Sequence, residues 1–314
     1  MTYLEYFHFD NLPFPTDGNA NYFYPRKSNM LKIEQISKYC RFLPGVYFVL
    51  GSDGCGKSTL LSILSQQLSN NDFVINIHAS NSTDILKSIA SSFNIKLNHD
   101  IDIIFNELQY IHFHGQNIIL IIDDANNLSK EQLINLNSLL DAVDYLRVIL
   151  CGNYNIKKLL SQKVVSPIRN KIVKKYNIKY FSYLEGIKYI SFISRKALAL
   201  SEYSNPITFP AILLLSFISN RNIHNINFVT TSALKLAFSM KSPKVSFFHV
   251  FNVAKSNFEL VRNNIYLKFQ KIFIGILVLF TLFFLIKISI DRYNTITTLE
   301  ARKSVARQEI ELRF

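Results

Sequence analysis

The sequence predicts an α/β fold, a mostly parallel sheet held between helices, followed by a smaller helical region and one transmembrane helix. Three observations carry this. Apolar runs of strand length alternate with helical stretches between residues 46 and 181. From residue 184 to about 256 the pattern is helical throughout, broken only near Asn205-Pro206 and Ser242-Pro243. Residues 272–290 form an apolar run close to the length of a hydrocarbon core, and no charge occurs from 272 to 286.

Taken in order, the strand candidates are 46–51, 73–78, 118–123, 146–152 and 178–181. Helical stretches lie between them at 58–68, 83–93 and 129–140, the last opening on Ser129 as cap with Glu131 in its first turn. The domain reading is an α/β domain over 1–182 and a helical lid over 183–256. A basic juxtamembrane segment follows at 257–271, then the transmembrane helix at 272–290 and a short exported tail at 291–314. Lys287 sits near enough to the end of the apolar run to snorkel. A buried core helix is the competing reading, but a helix apolar on every face is hard to place in so small a domain.

Composition narrows the function classes. With 314 residues and 49% hydrophobic content, the chain is neither disordered nor a mini-protein. Thirty-five Lys and Arg against 22 Asp and Glu give a net charge of +13, which favours an anionic partner: nucleotide, nucleic acid or acidic lipid. Cys40, Cys55 and Cys151 are odd in number and widely spaced, which excludes a disulfide framework and points to a reducing compartment. The N-terminal MTYLEYFHFDNLPF lacks the apolar core of a signal peptide, so the first folded part is expected in the cytosol.

The chemistry concentrates in two motifs. Gly51-Ser52-Asp53-Gly54-Cys55-Gly56-Lys57-Ser58 satisfies G-x-x-x-x-G-K-[ST] between an apolar strand and a helix. Glycines let backbone N–H groups turn inward around phosphate, and the helix N-terminus adds positive potential. Lys57 is expected to reach the β/γ-phosphates and Ser58 to ligate Mg²⁺, with Thr59 beside them in the nucleotide-binding set. Cys55 reads as a small residue that leaves the loop open to alkylation. About sixty residues on, Ile118-Ile119-Leu120-Ile121-Ile122-Asp123-Asp124 is a buried strand ending in two carboxylates, a Walker B pattern. There Asp123 is expected in the Mg²⁺ shell and Asp124 where a carboxylate orients attacking water. Asn153, closing the strand 146–152, is placed to touch the γ-phosphate or that water.

Beyond these motifs the chain resembles the general secretion pathway protein A (ExeA-like) family of AAA+ ATPases over roughly residues 2–290. The resemblance rests on Tyr3-Leu4-Glu5-Tyr6-Phe7 with Pro13-Phe14, and on Asp123-Asp124-Ala125-Asn126-Asn127-Leu128 for D-E-A-Q-x-L. Gly152-Asn153 stands for G-Q, Lys171-Ile172 to Tyr176 for R-I-x-x-R-Y, and Ser182, Glu185 and Tyr189-Ile190 for S-x-x-E-x-x-x-Y-I. Ile226-Asn227 with Ala233-Leu234 is similar to the lid helix after the family's G-x-P-R.

The resemblance implies an ATP- and Mg²⁺-dependent ATPase in the bacterial inner membrane, single-pass, with its ATPase domain in the cytoplasm. It implies a homo-oligomer that helps assemble a type II secretion or pilus-type complex with an inner-membrane partner. Basic residues around the membrane segment would meet anionic lipid. Lys and Arg balance across residues 272–290, so the need for ATP, not charge, sets the orientation. A peptidoglycan-binding activity carried by some members is not transferred.

Three departures weaken transition-state contacts more than nucleotide binding, and point to slow hydrolysis. The family's catalytic Glu is Asp124, one methylene shorter. Its trans-acting Arg is Lys171, without a planar fork, with Arg169 as a substitute. Its sensor Arg is replaced by His224 in Arg221-Asn222-Ile223-His224. One alternative is a nucleotide-gated membrane scaffold with little hydrolysis. Another, a DNA-binding transposition-type AAA+ ATPase, would use the basic stretch 163–179. The transmembrane segment opposes it, so nucleic acid is not expected as a partner. His112 and His114 read as surface residues, and the N-terminal aromatics as packing against the sheet edge, with adenine contact the minor reading.

Overall fold

The computed structural model describes residues 1–15, 22–80, 84–95, 101–157, 166–200 and 202–256, with Thr281, Ile286 and Lys287 beyond them. Met1–Ser256 forms one compact unit and Asn257–Phe314 a second.

In the first unit a short helix α1 (Tyr3–Tyr6) precedes helix α2 (Lys27–Phe42). Strand β1 (Gly45–Gly51), helix α3 (Lys57–Leu68), strand β2 (Phe73–His78), helices α4 (Ile85–Ser92) and α5 (Ile101–Phe113), and strand β3 (Ile118–Asp123) follow. Helix α6 (Lys130–Ala142), strand β4 (Leu146–Gly152), helix α7 (Ser166–Asn170) and strand β5 (Ile172–Ile178) complete the α/β part. Four helices come next: α8 (Tyr183–Ala197), α9 (Phe209–Ile218), α10 (Ile223–Ser239) and α11 (Phe247–Ser256).

The five strands pair in parallel in the order β2-β3-β4-β1-β5. Strands β1, β3 and β4 are apolar and buried on both faces, as a sheet covered by helices on each side demands. One core layer packs Leu120, Val148 and Leu50 with α4 and α6; the other packs Ile119, Ile149 and Val49 with α2 and α3. β1 returns to pair with β4, so its carboxyl end opens at the point where strand order reverses, where α/β sheets hold ligands.

The fifth strand begins and ends earlier than the sequence indicates, at Ile172–Ile178 and not 178–181. It is an edge strand that carries Lys174 and Lys175, and its apolar alternation is diluted by the charges an exposed edge accommodates. Helix α6 starts as expected from Ser129, whose hydroxyl accepts from the Gln132 N–H while the Gln132 side chain accepts from the Ser129 N–H. Of the N-terminal aromatics, Phe23 packs on the core layer that includes Tyr176 and Ile178 of β5, whereas those of the first ten residues do not. Tyr6 packs on Phe238, Phe9 bridges to Leu198, and His8 stacks on Tyr203, so this segment binds the helical part.

Among the described residues no helix is long and apolar enough to cross a membrane. The expected transmembrane helix at 272–290 lies outside the described residues except for Thr281, Ile286 and Lys287, as do the juxtamembrane segment and the tail.

Candidate active site

The carboxyl ends of β1 and β3 meet the amino end of α10 around a cleft of about 440 Å³, a size that suits a nucleotide. Asp53, Gly54, Gly56, Lys57, Ser58, Thr59 and Asp124 line one wall. Pro15, Tyr22, Tyr189, Asn222, Ile223, His224 and Asn227 line the other.

The phosphate loop takes its shape from two left-handed glycines, Gly54 at φ 74° and Gly56 at φ 91°. A side chain at either would be strained, and at Gly56 its first carbon would press on Ile223 Cδ1 at 3.0 Å. α3 then starts at Lys57 with its first N–H groups aimed into the loop. Lys57 is buried, and its ammonium donates to the carbonyls of Gly51 (3.0 Å) and Ser52 (3.1 Å) and to Asp53 Oδ1 (3.4 Å). The loop thus holds the cation at the cleft floor on its own carbonyls.

Cys55, read from the sequence as a small residue that leaves the loop open to alkylation, is shielded in the structure. Its thiol is buried against Gly51, and burial pushes its pKa up despite the pull of nearby Lys57.

At the end of β3 the two carboxylates part. Asp123 turns its Oδ1 to the Asp124 N–H (2.8 Å) and lines a side pocket with Ser58 and His78. A hydroxyl and a carboxylate on one pocket are the hard oxygen donors Mg²⁺ takes, so Ser58 and Asp123 fit the metal expected there. Asp124 occupies a left-handed backbone position (φ 50°, ψ 38°) that throws its side chain into the cleft. Its pKa is raised, first by burial and then by Asp123, while His78 and Lys57 pull it down. His78 Nε2 lies 3.7 Å from Asp124 Oδ2.

Asn153 stands apart from the cleft. Its Oδ1 accepts from the Asn155 N–H (3.0 Å) and its own N–H meets Asn126 Oδ1 (3.3 Å), so the residue shapes the turn behind the carboxylates. Lys171 lies at the amino end of the sheet, where its carbonyl accepts from the Val46 N–H. The rise of β1 over about six residues puts it about 20 Å from the phosphate loop of its own chain. Its ammonium binds Asp141 at 2.5 Å and the Asn137 carbonyl at 3.2 Å.

The helical wall grips the loop directly. The Ile223 N–H donates to the Gly54 carbonyl (2.8 Å), and Asn222 Nδ2 donates to the Asp53 carbonyl (3.1 Å), which also accepts from the Tyr180 hydroxyl (3.1 Å). Asn222 caps α10 as well, accepting from the Asn225 N–H. His224 follows in the first turn and lines the cleft. Deeper in, Asn227 accepts from the Tyr189 hydroxyl (2.8 Å) and donates to the Pro15 carbonyl (2.6 Å), joining α10, α8 and the N-terminal segment.

The motifs do not single out Tyr22, Tyr189, Asn222, Asn227 or His78 as site residues. Tyr22 lines the cleft, and the others reach the cleft or the carboxylates through pairing distant in sequence. The sequence signal for two of them is the match of Tyr189 and Asn227 to family positions.

Comparison with known proteins agrees with this geometry. Residues 40–160 match the AAA domain family. No curated protein matches the sequence. Among solved structures, Cdc6p from Pyrobaculum aerophilum superposes with a TM-score of 0.61 at 15% identity, over 81% of this chain and 70% of that one. The ORC2 protein of Aeropyrum pernix, in its ADPNP–ADP complexes, gives 0.60 at 14% identity over 76% and 70%. The RuvB Holliday junction branch migration motor of Thermotoga maritima gives 0.54 at 15% identity over 78% and 73%. At such identities the likeness is one of fold, an α/β P-loop fold, within which residues 40–160 are similar to the AAA domain.

Proposed function

We propose that this protein is a membrane-tethered AAA+ ATPase that binds and slowly hydrolyses ATP to assist assembly of a secretion or pilus-type complex in the bacterial envelope. The observation that carries the ATPase reading is that Lys57, Ser58 and Asp124 line one cleft while Asp123 lines the side pocket that shares Ser58 with it, the four coming from the ends of two non-adjacent strands. Ser58 and Asp123 would hold Mg²⁺, which supplies charge to neutralise the β/γ-phosphates when bound. Lys57 would leave the loop carbonyls for phosphate oxygens. Asp124 would accept a hydrogen bond from the attacking water. Lys171 would act on a neighbouring copy's nucleotide, which requires it to leave Asp141 and the copies to form an oligomer. The envelope role, the partner and the tether rest on the ordered family motifs and on the apolar run at 272–290.

A scaffold that binds ATP with little hydrolysis is favoured by one observation: both Lys57 and Lys171 are engaged within the chain. Single-turnover hydrolysis in vesicle-reconstituted protein separates the two. Cleavage accelerating with protein density supports the oligomeric ATPase, whereas tight binding with no cleavage at any density supports the scaffold. Resistance of the full chain to alkaline carbonate extraction tests the tether.

A further inference from the structure

Helix α11 is amphipathic in an unusual way. His249, Val250, Val253 and Ala254 are buried against the other helices. The opposite side carries Phe248, 72% exposed, with Phe251 and Phe247 also exposed. The Phe247 ring stacks on Phe251 (6.2 Å, 11°) and meets Phe248 edge-on (6.0 Å, 88°), so the three rings form one cluster turned outward. A protein surface seldom leaves three phenylalanines together in water.

The charges in the segment 240–256 are all of one sign. Lys241 and Lys244 precede the helix and Lys255 lies in its last turn, while residues 240–256 contain no Asp or Glu. Phe209, at the start of α9, is exposed too, and its neighbour Thr208 is bonded to the Val245 carbonyl just before α11. A protein partner would have to bury these phenylalanines and offer acids to three lysines. An anionic bilayer surface meets both demands at once, with acyl chains for the rings and headgroup phosphates for the ammonium groups. Fifteen residues, 257–271, separate α11 from the apolar run at 272–290, and they span at most about 54 Å.

We propose that α11 is a membrane-docking surface: Phe247, Phe248 and Phe251 enter the headgroup–acyl boundary of an anionic membrane while Lys241, Lys244 and Lys255 bind its headgroups. The inference rests on the membrane association proposed above and adds the surface of the ATPase unit that touches the lipid. Docking of this kind holds the nucleotide cleft at a fixed orientation to the bilayer, which a tether alone would not.

The chain contains no tryptophan, so Phe248→Trp installs a single fluorescent reporter. The full-length variant is reconstituted into vesicles of phosphatidylcholine alone or with phosphatidylglycerol, each with brominated acyl chains as quencher. ATP binding confirms that the variant is folded. Phe113→Trp, at an 88% exposed position at the end of α5, is the control. The expected result is strong quenching of the Phe248→Trp indole in anionic vesicles, weak quenching in neutral ones, and none in the Phe113→Trp control. Adding Lys241→Gln and Lys244→Gln is expected to lower the docking equilibrium constant about fivefold for each lysine charge removed.

The proposal is overturned if the indole of Phe248→Trp stays unquenched in anionic vesicles, or is quenched equally in neutral ones. Blue-shifted emission from that variant that no lipid quenches also overturns it, and assigns the face to another part of this chain or a second copy. Carbonate extraction of the same samples reports separately on residues 272–290. Quenching with full extraction removes the tether and keeps the docking surface; resistance without quenching does the reverse.

Discussion

The two walls of the nucleotide cleft are built by different means. The sheet wall is local: a strand, two left-handed glycines and a helix start fix the phosphate loop within eight consecutive residues, 51–58. The helical wall is assembled at long range, from Asn222, Ile223 and Asn227 around α10, Tyr189 on α8 and Pro15 near the N-terminus. A wall made by backbone conformation tolerates almost no change at its glycines but asks little of the rest of the chain. A wall made by side-chain bonds between distant segments can open and close, because breaking two or three bonds suffices to separate it from the loop.

The largest effect that would test this contrast is on the sheet wall. Lys57→Ala removes the cation from the cleft floor and is expected to weaken ATP binding by about 3 kcal/mol, roughly a hundredfold or more. Equilibrium titration with a fluorescent ATP analogue measures it. Unchanged affinity would break the assignment of the loop as the phosphate site.

On the helical wall the key position is Asn227, only 5% exposed. Asn227→Ala leaves the Tyr189 hydroxyl and the Pro15 carbonyl buried without their partner. The expected cost is about 3 kcal/mol of stability, or about 6–12 °C in melting temperature. Affinity for ATP should fall with it, since all three residues line the cleft. A melting temperature unchanged by this substitution would mean that the wall is not held together through this junction.

The same contrast explains what the sequence disclosed. The phosphate loop, the Walker B strand and four of five strands are legible because each is encoded by consecutive residues with one dominant signal, apolarity or glycine. β5 is obscured because an edge strand tolerates Lys174 and Lys175. Asn153 looks poised for the γ-phosphate by position alone, yet its side chain is drawn into a turn with Asn155. Lys171 is recognisable by family position, but its ion pair with Asp141, thirty residues away, is a tertiary fact. His78 carries no motif, and only the register of β2 against β3, His78 opposite Asp123, brings it beside the carboxylates.

Asp124 stands on the sheet wall, at the end of β3. Asp124→Glu lengthens the reach toward the water and is expected to raise turnover about fivefold to tenfold, near 1 kcal/mol of barrier, with little change in ATP affinity. The left-handed backbone at this position (φ 50°) favours Asp over Glu. A small loss of thermal stability, about 0.5 kcal/mol, should accompany the gain. A fall in turnover with binding preserved would show that the site is built around the shorter acid. Steady-state hydrolysis by reconstituted protein decides the sign, and adding Lys171→Arg shows which of the two departures limits the rate.

The smallest expected effect is the most specific. Asp124 accepts from water only when ionised, so hydrolysis is lost as pH falls through its pKa, which burial and Asp123 already hold above the ordinary carboxylate value. His78, when protonated, opposes them across 3.7 Å. His78→Gln removes that opposing charge, so the Asp124 pKa rises further and the acid limb of kcat/KM moves to higher pH, with the plateau rate nearly unchanged. The pair is partly exposed, 73% and 38% for the two side chains, so the displacement should shrink in high salt, where such charges are screened. A pH–rate profile at two ionic strengths measures both. If the limb stays in place at low salt, the group that titrates is not Asp124. If it moves and salt does not reduce the shift, His78 acts by holding the carboxylate in position, not through its charge.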